Sequence, residues 1–138
     1  MTYAANTKVP VDKTKAEIER TLYRYKASNF AYFSEHNRAI IVFEAAQRRL
    51  RFDLPLPNGN SAKEQQQCRQ KWRALGLAIK SKLETVESGI ESFEEAFLAH
   101  IVMPDGMTVA QHARPRIESA YKGGEMQVLL PGPSKEQK

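Results

Sequence analysis

Apolar and polar residues follow two different periods along the chain, and the changes of period predict the order of its elements. Between residues 14 and 25 apolar positions recur every three or four residues, which predicts a first helix. A stretch rich in β-branched and aromatic residues follows and ends in strict apolar–polar alternation. It predicts three short strands, at 30–33, 39–43 and 50–56. The helical period returns at residue 61 and continues to about residue 88, so this helix would be roughly 40 Å long.

Capping signals mark where the helices begin and end. A Ser or Thr followed three residues later by Glu satisfies two main-chain N–H groups at a helix N-terminus. The chain has this capping box at Thr14–Glu17, Ser61–Glu64 and Ser92–Glu95. Gly89 can end the long helix in a left-handed cap, and a last helix is predicted from Thr108 to the pair Gly123-Gly124.

These elements predict an α+β fold of one domain. An α-β-β-β-α core would hold a three-stranded antiparallel meander, covered on one face by the first helix and the long helix. A small C-terminal helical cap would pack against the end of that core. The domain is predicted at 13–124, with the core at 13–89 and the cap at 90–124. A flexible arm at 1–12 and a flexible tail at 125–138 would flank it.

Charge is sorted along the chain. The net charge of the 138 residues is +5, but residues 1–83 hold 16 Lys or Arg against 7 Asp or Glu. Residues 84–105 hold six acidic residues and no Lys or Arg. Such sorting bears on partners rather than on fold, and it indicates one surface that attracts polyanions and another that repels them. The alternative is a solvated surface with uneven decoration.

The predicted long helix carries a basic ridge. Arg69, Arg73 and Lys80 stand at i, i+4 and i+11, which puts them within a wedge of roughly 40°. Gly76 falls in the same wedge and would leave bare backbone for a close approach. The ridge lies roughly 100° from the centre of the apolar stripe, so it can face solvent and follow a phosphate backbone. An ordinary solvated helix face is the alternative.

The third predicted strand carries a second candidate surface. Arg49 and Arg51 share its polar face, and Tyr32 or Phe33 would join them, depending on the register of the first strand. Arginines beside an aromatic ring on an open sheet suit single-stranded nucleic acid, because bases stack on the ring and guanidinium groups meet phosphates. Tyr32 is taken as the stacking residue. The alternative is that basic side chains protect a sheet edge against aggregation.

The acidic stretch is a candidate surface for a protein partner. Its exposed carboxylates would be Glu84, Glu87, Glu91 and Glu94. Glu84 and Glu87 stand in the last turns of the long helix, where the helix dipole disfavours negative charge. Such a surface would bind a protein partner directly, or mimic phosphates and occupy a nucleic-acid site on another protein. A solubilising face is the alternative.

Little in the sequence indicates catalysis, and we expect a non-enzymatic protein with no cofactor and no metal. The histidines, His36, His100 and His112, lack metal-ligand spacing on one helix face. The one cysteine, Cys68, leaves no disulfide within the chain. No stretch approaches the ~18 apolar residues of a membrane span. These features predict a cytoplasmic protein without a membrane partner.

Three stretches carry a resemblance to known proteins. They are Trp72-Arg73-Ala74-Leu75, Lys82-Leu83-Glu84-x-Val86-Glu87-x-Gly89-Ile90 and Phe97-Leu98-Ala99-His100-Ile101-Val102-Met103-Pro104-Asp105-Gly106-x-Thr108-Val109. With the strand end Leu54-Pro55-Leu56-Pro57, they make most of residues 10–130 similar to a widespread group of uncharacterised small proteins of bacteriophages, prophages and other mobile elements. The resemblance implies a mobile-element context and a host cytoplasm, and it transfers no site residues. The chain departs from the pattern at Ala45-Ala46, where a Gly-containing hairpin turn is usual, and in its short 57–61 loop.

The leading expectation is therefore a non-enzymatic nucleic-acid-binding protein of a phage or mobile element, with DNA as the favoured ligand. Its predicted phosphate contacts are Arg49, Arg51, Arg69, Arg73 and Lys80, with Tyr32 as a stacking residue. The alternative is a protein-binding inhibitor or adaptor of the counter-defence type that uses the acidic surface at 84–95 to bind a host or phage protein. Either function is compatible with a homo-oligomer.

Overall fold

The computed structural model describes residues 6–126 and 128–130. Its elements are α1 (Val11–Tyr23), β1 (Ser28–Glu35), β2 (Arg38–Ala45), β3 (Arg48–Pro55), α2 (Ala62–Glu87), α3 (Phe93–Ala96), a 3-10 turn (Leu98–His100) and α4 (Val109–Gly123). The predicted α+β class and the order of the core elements are confirmed. Residues 1–5 of the predicted arm, and residues 127 and 131–138 of the predicted tail, lie outside the described residues.

The first helix begins earlier than its sequence signal predicts. Its N-cap is Pro10, whose side chain makes no capping hydrogen bond, and Thr14 lies fully buried inside the helix. The capping box predicted at Thr14 is therefore wrong. The reason is tertiary: the Glu17 carboxylate reaches Arg73 of α2 instead of turning back to its own helix terminus.

The other two predicted capping boxes are confirmed, and the last helix begins after Thr108 as predicted, with a box of its own. The side chains of Ser61, Ser92 and Thr108 each accept a hydrogen bond from the main-chain N–H three residues later, and their own main-chain N–H groups donate to the side chain of that residue. Gly89 has a φ of +74° and follows the end of α2 as predicted. These boxes define where α2, α3 and α4 begin, because each satisfies main-chain N–H groups that have no partner in the first turn of a helix.

The sheet is an antiparallel meander in the order β1-β2-β3. Tyr32 pairs with Ile41, which pairs in turn with Phe52, while Phe33 pairs with Ile40. Since residues directly opposite each other share a face, the Tyr32 row and the Phe33 row point to opposite sides of the sheet. The β2–β3 connection is a two-residue turn in which Ala46 and Gln47 both have positive φ, at 52° and 61°.

Both long helices cover a single face of the sheet. Ile41, Phe43, Leu50 and Phe52 are buried on that face. They form one cluster with helix residues that include Ile18, Leu22, Trp72, Ile79 and Leu83. The opposite face, here called the open face, carries Ala31, Phe33, Ile40 and Val42 at its centre. Phe33 is 55% exposed there.

The C-terminal cap packs at the free edge of β3. The N–H of Val102 donates to the carbonyl of Arg49 at 2.8 Å, and Leu50 bridges to Ile101. Phe97 is fully buried and meets the ring of Phe52 edge-on. Within the part of the chain that the structure describes, no helix is long and apolar enough to cross a membrane.

Candidate nucleic-acid interface

The two long helices lie side by side and run parallel. Contacts advance in the same direction along α2 and along α1 with its flanking residues. They run from Thr7 with Gln66, through Glu17 with Arg73, to Tyr25 with Glu87. Gly76 lies on the face of α2 that packs against α1. A Cβ added there would lie 3.4 Å from Thr14 and 3.7 Å from Ile18. The absence of a side chain at this position lets α1 pack against α2.

The predicted basic ridge is one side of this helix–helix seam. Gly76 is buried under α1, so it offers no bare backbone for a phosphate, and that part of the prediction is wrong. Arg73 donates to Glu17 at 2.7 Å, and Lys80 lies 4.0 Å from the same carboxylate. A neighbouring helix, α1, occupies the side of α2 that was predicted to face solvent.

Glu17 is the acidic centre of the seam. The hydrogen bond from Arg73, together with the charges of Lys80 and Lys13, lowers the pKa of the Glu17 carboxyl although partial burial opposes the shift. The side chains of Glu17 and Arg73 are each about a quarter exposed, at 25% and 24%. The pair therefore lies at the outer rim of the seam rather than in the core.

More cations line the seam than one carboxylate can neutralise. On α1, Lys13, Glu17 and Arg20 follow the spacing i, i+4, i+7, which matches the spacing of Arg69, Arg73 and Gly76 on α2. Lys13 and Arg20 are exposed, and the Arg69 guanidinium donates to the Gln66 side chain at 2.6 and 3.0 Å. We call Lys13, Arg20, Arg69, Arg73 and Lys80 the basic seam. With Glu17 included, the group has five cations and one anion, a net charge of +4.

The strand arginines lie on the other side of the molecule. Arg51 pairs with Val42 and Arg49 pairs with Glu44, so both belong to the open face, which the helices do not cover. Arg51 donates to the Gly106 carbonyl at 3.0 Å and to Gln111 at 2.6 Å. Its guanidinium thus ties the sheet to the start of α4. Arg49 is exposed.

The register assigns Phe33, and not Tyr32, to the face that carries the strand arginines. Tyr32 points toward the helices, where its ring lies 6.2 Å from that of Trp72 and the Lys15 ammonium lies 5.4 Å from its centroid. Burial, with the nearby Glu19 carboxylate, raises the pKa of Tyr32 above its usual range. Tyr32 is therefore not available for stacking, and the position predicted for it on the polar face is wrong.

The predicted nucleic-acid residues thus divide into two groups on opposite sides of the sheet. Arg69, Arg73 and Lys80 belong to the helix layer, and Arg49 and Arg51 belong to the open face. The basic seam has a net charge of +4. The open face instead balances Arg38, Arg49 and Arg51 against Glu35, Glu44 and Asp53, for a net charge of zero. Of these two groups, the basic seam is therefore the one that favours long-range attraction of a polyanion.

Most of the predicted acidic residues contact other parts of the chain. The hydroxyl of Tyr25 donates to Glu87, which raises the pKa of that tyrosine. Glu91 accepts from Thr85 at 3.0 Å, and Glu94 pairs with Arg48 of the sheet at 3.3 Å. Glu84 is exposed near the end of α2. Three of the four predicted carboxylates thus hold the chain's own elements together.

The histidines take part in packing and in holding turns. His100 stacks on Phe52 with a centroid distance of 4.0 Å, and burial lowers its pKa. His112 is buried and lies 2.7 Å from Asp105. The N–H of Met107 and the imidazole of His112 lower the pKa of Asp105. Among residues 6–126 and 128–130, no cluster of three or more His, Cys, Asp or Glu could hold a metal ion.

Sequence reasoning missed two residues of the basic seam, Lys13 and Arg20, and it missed the carboxylate Glu17 that pairs with the seam. The signal was present, because these residues repeat on α1 the spacing that identified the ridge on α2. What could not be read locally was that the two stripes face each other.

Comparisons of the chain with protein-family models, with curated proteins and with solved structures found no match.

Proposed function

We propose that this chain is a non-enzymatic nucleic-acid-binding protein that contacts the phosphate backbone through the basic seam of α1 and α2. The observation that carries the proposal is that Arg73, Lys80 and Lys13 act on the single carboxylate Glu17. Arg20 and Arg69 continue the same helical spacing on α1 and α2. A net charge of +4 on two rigid helices attracts polyanions and releases their counterions when phosphates bind.

The dimensions of the seam suit a short stretch of backbone. From Arg69 to Lys80 the helix rises about 16 Å, which corresponds to roughly five nucleotides at about 3.4 Å per step of one strand. Contacts of this kind fix position along the backbone and carry little sequence information. We therefore expect binding that depends strongly on charge and weakly on sequence, with DNA as the first ligand to test.

Fluorescence anisotropy with labelled 20-nucleotide DNA, single-stranded and duplex, and with RNA of the same sequence tests the proposal. We expect binding by micromolar protein at about 50 mM salt. No binding to any of the three ligands under these conditions contradicts it.

A pair of matched double variants localises the contact. Arg20→Gln with Arg69→Gln removes two seam cations that form no ion pair with Glu17, whereas Lys63→Gln with Lys71→Gln removes two exposed cations of α2 outside the seam. Both double variants lower the net charge equally. We expect the seam variant to bind about tenfold or more weakly, and the control to retain most of the affinity. Equal losses in both would refute a localised contact.

A further inference from the structure

The open face of the sheet is apolar at its centre and charged at its ends. Across the strands its rows are Glu35–Arg38–Pro55, Phe33–Ile40–Asp53, Ala31–Val42–Arg51 and, in the last row, Glu44–Arg49. Ser28 is the β1 partner of Glu44 in this last row, and the neighbouring Asn29 side chain donates to Glu44 at 3.1 Å. The long helices α1 and α2 lie on the other face, and the start of α4 meets the open face at Arg51, on its β3 edge. Phe33, on β1, is 55% exposed.

We infer that the open face docks against the open face of a second copy of this chain, related by a two-fold axis. The axis would run across the strands, between Ile40 and Val42. It places β2 over the antiparallel β2 of the other copy, so that Ile40 meets Val42 of the second copy. Phe33 then meets Ala31 of the second copy, a large side chain over a small one. The result is a β-sandwich with helices on both outer sides.

The charges of the central strand fit this symmetry. The axis brings Arg38 over Glu44 of the second copy, and the same contact repeats on the other side. Within its own chain Arg38 pairs with the exposed Glu35 at 2.7 Å and Glu44 accepts from Asn29 at 3.1 Å, so the contact between copies would share these groups. Packed sheets lie about 10 Å apart, and their strand directions differ by up to about 30°. An arginine side chain is long enough to bridge the offset that this angle produces between opposite residues. Arg51 is committed to Gly106 and Gln111 at the β3 edge, so the charge argument rests on Arg38 and Glu44 of β2.

The other two-fold arrangement is disfavoured. An axis along the strands would bring Arg38 over Arg38 and Glu44 over Glu44 of the second copy, and would set Phe33 over Asp53. Like charges facing each other across an interface suppress that arrangement. The face is therefore complementary to itself in one orientation and not in the other.

The size of the face predicts a weak dimer. Three strands of eight residues cover about 14 by 27 Å, or roughly 380 Å² in each copy, about half of what a stable interface buries per partner. We expect a dissociation constant of about 10–100 µM. Sedimentation velocity of the full chain from about 5 to 500 µM, without nucleic acid, measures it. A chain that stays monomeric to 500 µM overturns the inference.

Two isoleucine variants test which surface is used. Ile40→Glu puts charge at the centre of the open face, whereas Ile117→Glu makes the same change on α4, where Ile117 is also exposed. We expect Ile40→Glu to weaken the dimer by tenfold or more and Ile117→Glu to leave it intact. A dimer that survives Ile40→Glu uses another surface, such as the edge of β1, and overturns the inference.

A charge exchange keeps the test decisive if Ile40→Glu disturbs folding, which circular dichroism would report. Glu44→Arg brings like charges together in both symmetry-related contacts and should weaken the dimer about tenfold or more. Adding Arg38→Glu exchanges the pair and should restore it. Failure of the double variant to recover dimerisation contradicts the proposed orientation. If Ile40→Glu instead abolishes oligonucleotide binding by a monomer, the open face binds nucleic acid and the inference is wrong.

Discussion

Glu17 holds two cations of the basic seam close to itself, and in doing so it also reduces the charge that the seam offers to a ligand. Its bond to Arg73 at 2.7 Å is half-buried, so solvent screens part of the attraction. The same carboxylate therefore contributes to folding and opposes the binding of polyanions. A variant that lacks the carboxylate should therefore be less stable and bind polyanions more tightly.

We expect Glu17→Gln to lower the free energy of unfolding by about 0.5–1 kcal/mol at pH 7. The folded-state pKa of Glu17 is lowered from 4.5, so its contribution is fully present above that value and is lost as the pH falls through the folded-state pKa. Urea titrations at pH 7, 5 and 4 would follow the difference between wild type and variant. A difference that grows toward acid pH contradicts this assignment.

The same variant should bind oligonucleotides more tightly than the wild type. Removing the anion raises the net charge of the seam from +4 to +5 and releases Arg73 for a phosphate. Anisotropy at fixed salt would show an affinity increase of a few fold. Weaker binding by Glu17→Gln would mean that Glu17 positions Arg73 for the ligand and does not compete with it.

The β2–β3 turn holds two residues in a strained backbone conformation. Ala46 and Gln47 have φ values of 52° and 61°, in the left-handed region that costs an L-residue roughly 1–2 kcal/mol. Changing the pair to Asn-Gly, which suits this hairpin turn, should raise the free energy of unfolding by about 1–2 kcal/mol. Thermal denaturation would report the gain. Asn37→Gly is the control, since Asn37 in the β1–β2 turn has a negative φ; it should give no gain.

At the scale of elements, the helix–helix seam explains why Gly76 is a glycine. Its missing side chain admits α1 and is not exposed to a ligand. Gly76→Ala adds a Cβ at 3.4 Å from Thr14, an ordinary contact, and improves helix propensity by about 0.8–1 kcal/mol. We expect a variant at least as stable as the wild type with unchanged affinity for oligonucleotides. A loss of affinity with normal stability would restore the idea of a phosphate contact at Gly76.

Gly76→Leu should have the opposite effect on folding. A leucine side chain would force α1 away from α2 at Thr14 and Ile18, and the core beneath them would lose contacts. We expect a loss of stability of about 1–3 kcal/mol. A Leu variant as stable as the Ala variant would show that the seam is looser than this packing implies.

Much of the element order could be predicted from local pattern, because capping boxes and apolar periods report on short stretches of chain. Ser61, Ser92 and Thr108 begin helices as their boxes indicate. Thr14 does not, because its partner Glu17 finds a stronger contact 56 residues away. Local signals fail where a tertiary partner competes for the same side chain.

The candidate site was harder to predict than the fold. Alternation indicates that Tyr32 and Phe33 point to opposite faces, but both are aromatic, so it does not say which face the helices cover. Likewise, the angle of the ridge on α2 does not reveal that α1 lies against it. Both answers depend on how elements pack together, which a single stretch of sequence does not contain.

At the scale of the whole molecule, the sorting of charge along the chain becomes a difference between two surfaces. The helix layer concentrates positive charge at the basic seam, while the open face is neutral and apolar at its centre. A sandwich dimer would cover the open faces and leave one basic seam on each outer side. Nucleic-acid binding and self-association would then use separate surfaces.

The salt dependence of oligonucleotide binding tests the central claim most directly. Four net charges at the seam predict a slope of log K against log salt of about −3 for single strands and nearer −4 for duplex DNA. Arg20→Gln with Arg69→Gln should reduce the steepness by about 2, and Lys63→Gln with Lys71→Gln should leave it nearly unchanged. A slope near zero in the wild type, or the same reduction in both double variants, would contradict the account.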